Sequence, residues 1–464
     1  MNEKLNYLIK NIGILTISNF SSKILVFLLV PLYTSVLSVE EYGTYDLVVS
    51  TVQLMVPILT LNIVDAVMRF SMEKGETIQE VASIGIRYIC RSIIFVVVFL
   101  VVCKYFNLIP QLNSYYWAVF LYYTFYSLNQ YCIQLTKGME RVNDMGIAGV
   151  LSTIVMLIFN IIFLLVFRMG LMGFFIANIS SQGVSVLYYV FRVKIWKLLR
   201  KPFNRELKRE MLKYCVPLIL TTIGWWVNSA TDRYVVTFIC GVAANGLLSV
   251  AYKIPSIINT IQSIFIQAWQ ISAIKEYGKK ETKSFYCDTF DYLNLIMVSS
   301  CMILILLSKP IGHILFAKDF FSANKYVPFL LVSSVINAAS GYIGPILSAK
   351  KDSVSMAKAA LYGGIINIIL NIIFVYWIGI QGAIIATVIA SYVIYLVRHR
   401  ASENAVKGKY YNRIMISWIL LIIQAIIEIY LELYVGEILV ITFIIFAYFP
   451  MFKSVFIKLK KNDE

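Results

Sequence analysis

The amino-acid sequence predicts an all-α polytopic membrane protein: about fourteen transmembrane helices, in two six-helix lobes plus two additional C-terminal helices. Three observations carry that expectation. The 464 residues are 59% hydrophobic and only 14% charged, where a soluble chain carries about 25% charged residues, and the mean hydropathy is +0.77. The apolar residues gather into long runs, each of about 17–30 residues, enough to cross a hydrocarbon core roughly 30 Å thick. The chain also resembles itself. Asn11 to Ser50 overlays Leu212 to Ile254 when Tyr42-Gly43-Thr44 is set against Asn245-Gly246-Leu247, and Ser18 to Lys23 then falls opposite Thr221 to Trp226.

The first expected span, 9–36, follows MNEKLNYLIK. It is too long for a signal-peptide core and lacks a small-residue cleavage site, so it reads as retained. Spans 43–69, 82–106, 114–136, 143–167 and 170–192 complete an N-terminal lobe, residues 1–200. In the fourth span, Tyr115, Tyr116, Trp117, Tyr122, Tyr123 and Tyr126 read as an interfacial aromatic belt. A basic linker, RVKIWKLLRKPFNRELKREMLK, leads into the second lobe, residues 201–400. Its spans are 212–239, 243–273, 286–308, 325–348, 356–378 and 380–397. The first two are joined by a tight turn containing Gly241 and Gly246, and the last two are separated only by Gly379 to Gly382. Spans 412–431 and 436–456 make up residues 401–464 and have no counterpart in the first half. Pro31, Pro57, Pro217, Pro255 and Pro345 interrupt spans and mark expected kinks.

Lys and Arg set the orientation. With both termini cytoplasmic, most of the 41 basic residues fall on inner segments, densest at 192–213, 275–283, 398–413 and 453–461. The outer side holds Lys104, Arg168, Lys309, Lys318 and Lys325. The net charge of +16 therefore belongs to cytoplasmic loops, and no nucleic-acid-binding pattern accompanies it. Six spans return the chain to its starting side, so the second lobe enters with the same orientation as the first, a parallel repeat. There is no phosphate-binding loop of the GxxxxGK[ST] type. The seven cysteines form no CxxC pair, so neither a disulfide nor a metal is assigned, and no cofactor motif is present. A glycan-polymerising enzyme would need a long outer loop with paired catalytic groups, and the outer segment 309–324 is short.

Charges within the spans carry the functional signal, because a charge at the bilayer centre costs roughly 2.5–3.5 kcal/mol on insertion scales. Lys23 lies mid-span beside Ser18, Asn19, Ser21 and Ser22, and Lys253 lies deep in the eighth span. Asp65 and Arg69 sit toward the inner end of the second span, Arg91 in the third, and Asp232-Arg233 in the seventh. Adjacent helical residues point about 100° apart, so Asp232 and Arg233 should face a cavity or another helix rather than each other. Arg69, Arg91 and Asp46 can also snorkel to an interface, and Lys23 with Asp65 could form a purely structural pair. An excess of deep cations suits an anionic cargo, with a phosphate or pyrophosphate head held by lysine point charges.

At these residues the sequence resembles the polysaccharide biosynthesis family of oligosaccharide-lipid flippases, the O-antigen or capsule repeat-unit translocases. Their superfamily also holds the lipid II flippase and the multidrug and toxin extruders. The resemblance rests on Asn19, Ser22-Lys23 and Tyr42-Gly43-Thr44-Tyr45 in the first half, and on Pro217, Asp232-Arg233, Gly246 and Ala251-Tyr252-Lys253-Ile254-Pro255 in the second. Phe265 to Trp269, Ser308 to Phe316 and Ile346 to Lys351 also fit. It implies a two-lobed, V-shaped bundle in the bacterial cytoplasmic membrane, with a cationic central cavity and alternating access. The implied cargo is an undecaprenyl-pyrophosphate-linked oligosaccharide, and the implied activity is transport with no bond made or broken. Substrate-binding roles carry over to Lys23, Arg69, Arg233, Lys253 and Asn19, and coupling or gating roles to Asp65 and Asp232, with H+ or Na+ as the coupling ion. A polymerase and other glycan-assembly proteins are the implied partners, beside membrane lipid. The alternatives are a cation-coupled multidrug extruder, supported by Asp65 and Asp232, and a lipid II flippase, whose first-span Arg-Asp pair is replaced here by Ser22-Lys23.

The charge asymmetry yields a topology test. In a background lacking native cysteines, Glu40→Cys should react with a membrane-impermeant thiol reagent applied to intact cells, and Arg205→Cys should not. Labelling at 205 would reverse the orientation.

Overall fold

The computed structural model describes residues 27–73, 78–107, 114–198, 204–279, 282–403, 405–431, 435–446 and 448. Among these residues every regular element is helical. The chain divides into two compact units, Met1–Trp226 and Val227–Glu464.

The first unit comprises α1 (Val30–Val36), α2 (Val39–Leu59), α3 (Ile63–Glu73), α4 (Ile78–Tyr105), α5 (Tyr116–Gly138), α6 (Val142–Asn160), α7 (Gly170–Tyr188), α8 (Ile195–Leu198), α9 (Arg205–Cys215) and the start of α10 (Leu218–Cys240). Wider π-helical turns extend α6 to Val166 and α7 to Val193. A capping box starts α2: the Glu41 amide donates to Ser38 Oγ at 3.1 Å, and the Ser38 amide to Glu41 Oε2 at 2.8 Å. Both amides would otherwise lack a partner. Three residues past Pro57, which has no N–H to donate one turn back, the helix stops. Leu61 and Asn62 turn left-handed, with φ of 54° and 52°, and the axis bends by 61° into α3. The second span expected over 43–69, with a kink at Pro57, is thus a bent pair of helices. The aromatic belt is also corrected. Tyr116, Tyr122 and Tyr123 are buried because α5 packs against α3, α4 and α8's neighbour α7, so these rings fill the interior of the unit. In α9, Leu207, Met211 and Cys215 are buried in the cluster formed by Ile63, Val67, Ile84, Tyr131 and Leu135. Its opposite face, with Arg205, Lys208, Arg209 and Lys213, lines a basic cavity of about 680 Å³.

The second unit continues α10 and adds α11 (Val242–Ala251), α12 (Pro255–Glu276), α13 (Thr282–Leu306), α14 (Ser308–Leu315), a 3₁₀ segment (Lys318–Tyr326), α15 (Val327–Ala349), α16 (Ser353–Ile378), α17 (Ile380–Ala401), α18 (Tyr411–Ile426) and α19 (Val435–Phe446). Its core is α15, which is buried along most of its length and on all sides, the pattern of a helix surrounded by others. Trp269 stacks on Tyr342 at 4.3 Å and donates its Nε1–H to the Tyr342 carbonyl at 2.9 Å. The Tyr342 hydroxyl donates in turn to the Tyr286 carbonyl at 2.8 Å. Pro345 is accommodated inside α15 without ending it. The eighth span expected over 243–273, with a kink at Pro255, is broken outright: the chain makes a turn at Tyr252 to Ile254, and Pro255 opens α12, where its missing N–H costs nothing. Gly241, at φ +92°, forms the turn before α11; Gly246 is a buried residue within α11.

α16 and α17 form an antiparallel hairpin turned by Gly379, whose φ of +63° is open to glycine at little cost. Gly363 lets the two helices approach, since a Cβ there would collide with the Ile394 side chain.

Eight of the described helices are long and apolar enough to span a membrane, and up to nine if the bent α2–α3 pair counts as one span. The protein is a multi-pass membrane protein; the expected number of fourteen is not reached by this measure among the described residues.

The hairpin gives a stability test with an internal control. Gly363→Val should lower the thermal midpoint of the detergent-purified protein, overpacking costing about 1–3 kcal/mol. Gly364→Val, on the same helix with open space around the added Cβ, should lower it less.

Candidate functional site

The site is built on Asp232 of α10, which is 3% exposed. Its carboxylate accepts three hydrogen bonds from three other segments. Asn371 Nδ2 in α16 donates to Oδ1 at 2.8 Å. Thr387 Oγ1 in α17 and the Tyr252 hydroxyl, at the break after α11, donate to Oδ2 at 2.6 and 3.0 Å. Asn367 Nδ2 supports Thr387 from one turn away at 3.3 Å, and Asn371 Nδ2 also donates to the Asn367 carbonyl at 3.0 Å. Because both acceptors of Asn371 Nδ2 are oxygens, its amide orientation is set by the network.

These partners of Asp232 are all neutral. A buried charge is usually paired or heavily hydrogen-bonded, and here hydrogen bonds alone do that work. The side-chain oxygens of Asn367 and Asn371 are buried and have no donor among the described residues. Among the described residues no three His, Cys, Asp or Glu side chains cluster as a metal site.

The other residues singled out in the sequence fall as follows. Arg233 is half-buried on the next position of α10, and its carbonyl accepts the Thr237 hydroxyl at 2.6 Å. Lys253 is half-buried and sits in the turn between α11 and α12, not within a helix. The Tyr252–Asp232 bond ties that turn to the part of α10 that carries Arg233. In the first unit, Asp65 accepts from Asn62 Nδ2 at 2.8 Å. This bond holds the left-handed residue at the α2–α3 bend, so Asp65 braces the break. Arg69, one turn further along α3, is exposed and lies over the Tyr214 ring at 6.0 Å. Arg91 is exposed beside the Tyr88 ring at 5.4 Å. Lys23 and Asn19 lie outside the described residues. Sequence reasoning found Asp232 but missed Tyr252, Asn367, Asn371 and Thr387 as its partners. The signal was present: Asn367 and Asn371 are four positions apart in an otherwise apolar run, on one helical face.

A family model described as "Polysaccharide biosynthesis protein" matches residues 8–271. A curated relative, the "Probable low-salt glycan biosynthesis flippase Agl15" of Haloferax volcanii, is 23% identical over 202 residues. That match spans 42% of this chain and 42% of the relative. Among solved structures, the lipid II flippase MurJ in an inward closed conformation superposes with a TM-score of 0.68 at 19% identity, covering 95% of this chain and 98% of that one. An inward-facing multidrug resistance MATE transporter of the MOP superfamily gives a TM-score of 0.64 at 14% identity, covering 83% of this chain and 96% of that one. At these identities the structural likeness establishes a shared fold.

The network makes a stability prediction. Asn371→Leu removes one donor from a buried carboxylate, and hydrogen bonds to charged groups contribute about 1.5–3 kcal/mol each. Its thermal midpoint should fall clearly. In an Asp232→Asn background the same change should cost much less, because no charge is left unsatisfied; a double-mutant cycle measures the coupling.

Proposed function

We propose that this chain, which belongs to the polysaccharide biosynthesis protein family, is a flippase that carries a lipid-linked oligosaccharide from the inner to the outer leaflet of the cytoplasmic membrane. The cargo assigned is an undecaprenyl-pyrophosphate-linked repeat unit destined for a cell-surface polysaccharide. The relative named as a glycan biosynthesis flippase supports the direction of this reading, and the deep cations Lys23, Arg233 and Lys253 read from the sequence support a phosphorylated head group. Lys23, Arg69, Arg233 and Lys253 supply charge to the pyrophosphate and Asn19 a neutral hydrogen bond. The hydrocarbon tail stays in lipid, so the protein needs to shelter only the polar end. No bond is made or broken, and no catalytic group is required.

The observation that carries coupled transport is the set of neutral donors around Asp232. To accept H+ or Na+, the carboxylate has to exchange donors from Asn371 and Thr387 for the cation, while Asn367 and Asn371 turn their amide oxygens inward. That exchange alters what α16 and α17 present to α10, so cation occupancy and helix packing are linked. A coupling ion crossing with the membrane potential releases about 2.3 kcal/mol per charge per 100 mV. Asp65 gates the first unit in this reading by holding or releasing Asn62, from which it accepts a hydrogen bond. A drug extruder would set its acids where a cationic cargo lodges. Asp232 is instead enclosed by its own protein partners, which does not favour that reading.

The test pairs membrane abundance with surface polysaccharide in a host whose own flippase is deleted. Lys23→Ala and Arg233→Ala should each abolish surface glycan with protein levels near normal, because charged hydrogen bonds contribute about 1.5–3 kcal/mol each and deep cations are few. Lys23→Arg should retain part of the activity, since charge survives with altered geometry. Full surface polysaccharide in both alanine variants would overturn the mechanism.

A further inference from the structure

α12 carries a polar stripe that the transport scheme above leaves unused. Ser256, Asn259, Ser263, Gln267 and Gln270 recur at three- and four-residue spacing. At about 100° per residue, that spacing puts all five within roughly 80° of one another around the helix. Ser263 is half-buried and the other four are exposed. The other side of the helix, with Ile258 and Trp269, is buried where α12 packs on α13 and α15. The amides of Asn259, Gln267 and Gln270 have no hydrogen-bond partner among the described residues. From Pro255 to Ile274 the helix contains no charged residue. These polar side chains keep α12 out of the eight helices apolar enough to span a membrane.

Hydrocarbon does not suit this face. An amide without a partner at membrane depth costs several kcal/mol, so polar side chains of membrane helices turn to other helices or to water-filled cavities. Amides and hydroxyls both donate and accept hydrogen bonds, as sugar hydroxyls do. A phosphate calls for cations and a cationic cargo for acids, and the stripe offers neither. Lys253 stands in the turn immediately before it, and the Ser256 hydroxyl donates to the Lys253 carbonyl at 2.5 Å. One cation is thus followed by roughly 21 Å of neutral hydrogen-bonding groups, at 1.5 Å of rise per residue. A lipid-linked oligosaccharide has the same order, a phosphorylated head followed by sugars. We propose that this face of α12 binds the glycan of the cargo, with Lys253 holding the phosphate end and so setting its direction along the helix. The assignment rests on the flippase reading above and adds which groups take the sugars.

The test uses the full chain purified in detergent and two ligands: lipid-linked oligosaccharide extracted from the native strain, and undecaprenyl pyrophosphate without sugar. The wild type should bind the glycosylated lipid more tightly. Gln267→Leu combined with Gln270→Leu should weaken that binding about tenfold, equivalent to about 1.4 kcal/mol for two lost neutral hydrogen bonds. Binding of the sugar-free lipid should not change. Asn259→Leu, nearer Lys253, should act in the same direction and serves as the second variant if the first fails to fold. Lys253→Ala should weaken both ligands. Equal loss of both ligands in the glutamine variant would overturn the proposal and mark a face that packs against another helix. Loss of neither would overturn it as well. Binding of neither ligand by the wild type would instead overturn the flippase reading on which the proposal rests.

Discussion

A carboxylate sealed among apolar helices must find its donors inside the protein, and Asp232 finds them on three separate segments. Much of the second unit is arranged so that this can happen. Gly379 folds α16 back against α17, and Gly363 brings the two helices near enough for Asn367 to reach Thr387. The break before Pro255 frees Tyr252 to turn its hydroxyl toward α10. Each feature taken singly is a modest departure from a straight apolar span. Together they surround one negative charge with uncharged dipoles, an arrangement that tolerates the charge.

The first unit solves a related problem differently. Its break, after Pro57, is stabilised by an acid–amide contact between Asp65 and Asn62 rather than by a closed network, and Arg69 remains at the surface of the unit. Broken helices at membrane depth are tolerated where side chains satisfy the freed backbone or where the break lines a cavity. Both units thus carry a proline-associated break in the second helix of the matching pair, at Leu61-Asn62 and at Tyr252 to Ile254. Their polar supports are not equivalent: an Asp65–Asn62 contact in one, the Asp232 network in the other.

The sequence alone determined the class of the molecule. Hydropathy needs no tertiary information, because a run of apolar residues long enough to cross a bilayer is costly in water wherever it folds. Family membership was legible for a related reason: Tyr42-Gly43-Thr44-Tyr45 and Ala251 to Pro255 are local strings. Deep charges such as Asp232 and Lys253 stood out because they contradict their surroundings. What the tertiary structure decided was which groups meet. Nothing local relates Asp232 to Thr387, 155 positions away, or turns Tyr116, Tyr122 and Tyr123 inward instead of toward an interface. Pro57 and Pro255 marked expected kinks, but that the helices break at Asn62 and Lys253 was hidden from hydropathy, since an apolar run reads the same whether the helix through it is straight or bent. Composition records what each residue tolerates; only packing assigns its neighbours, and the chemistry of this protein depends on those neighbours.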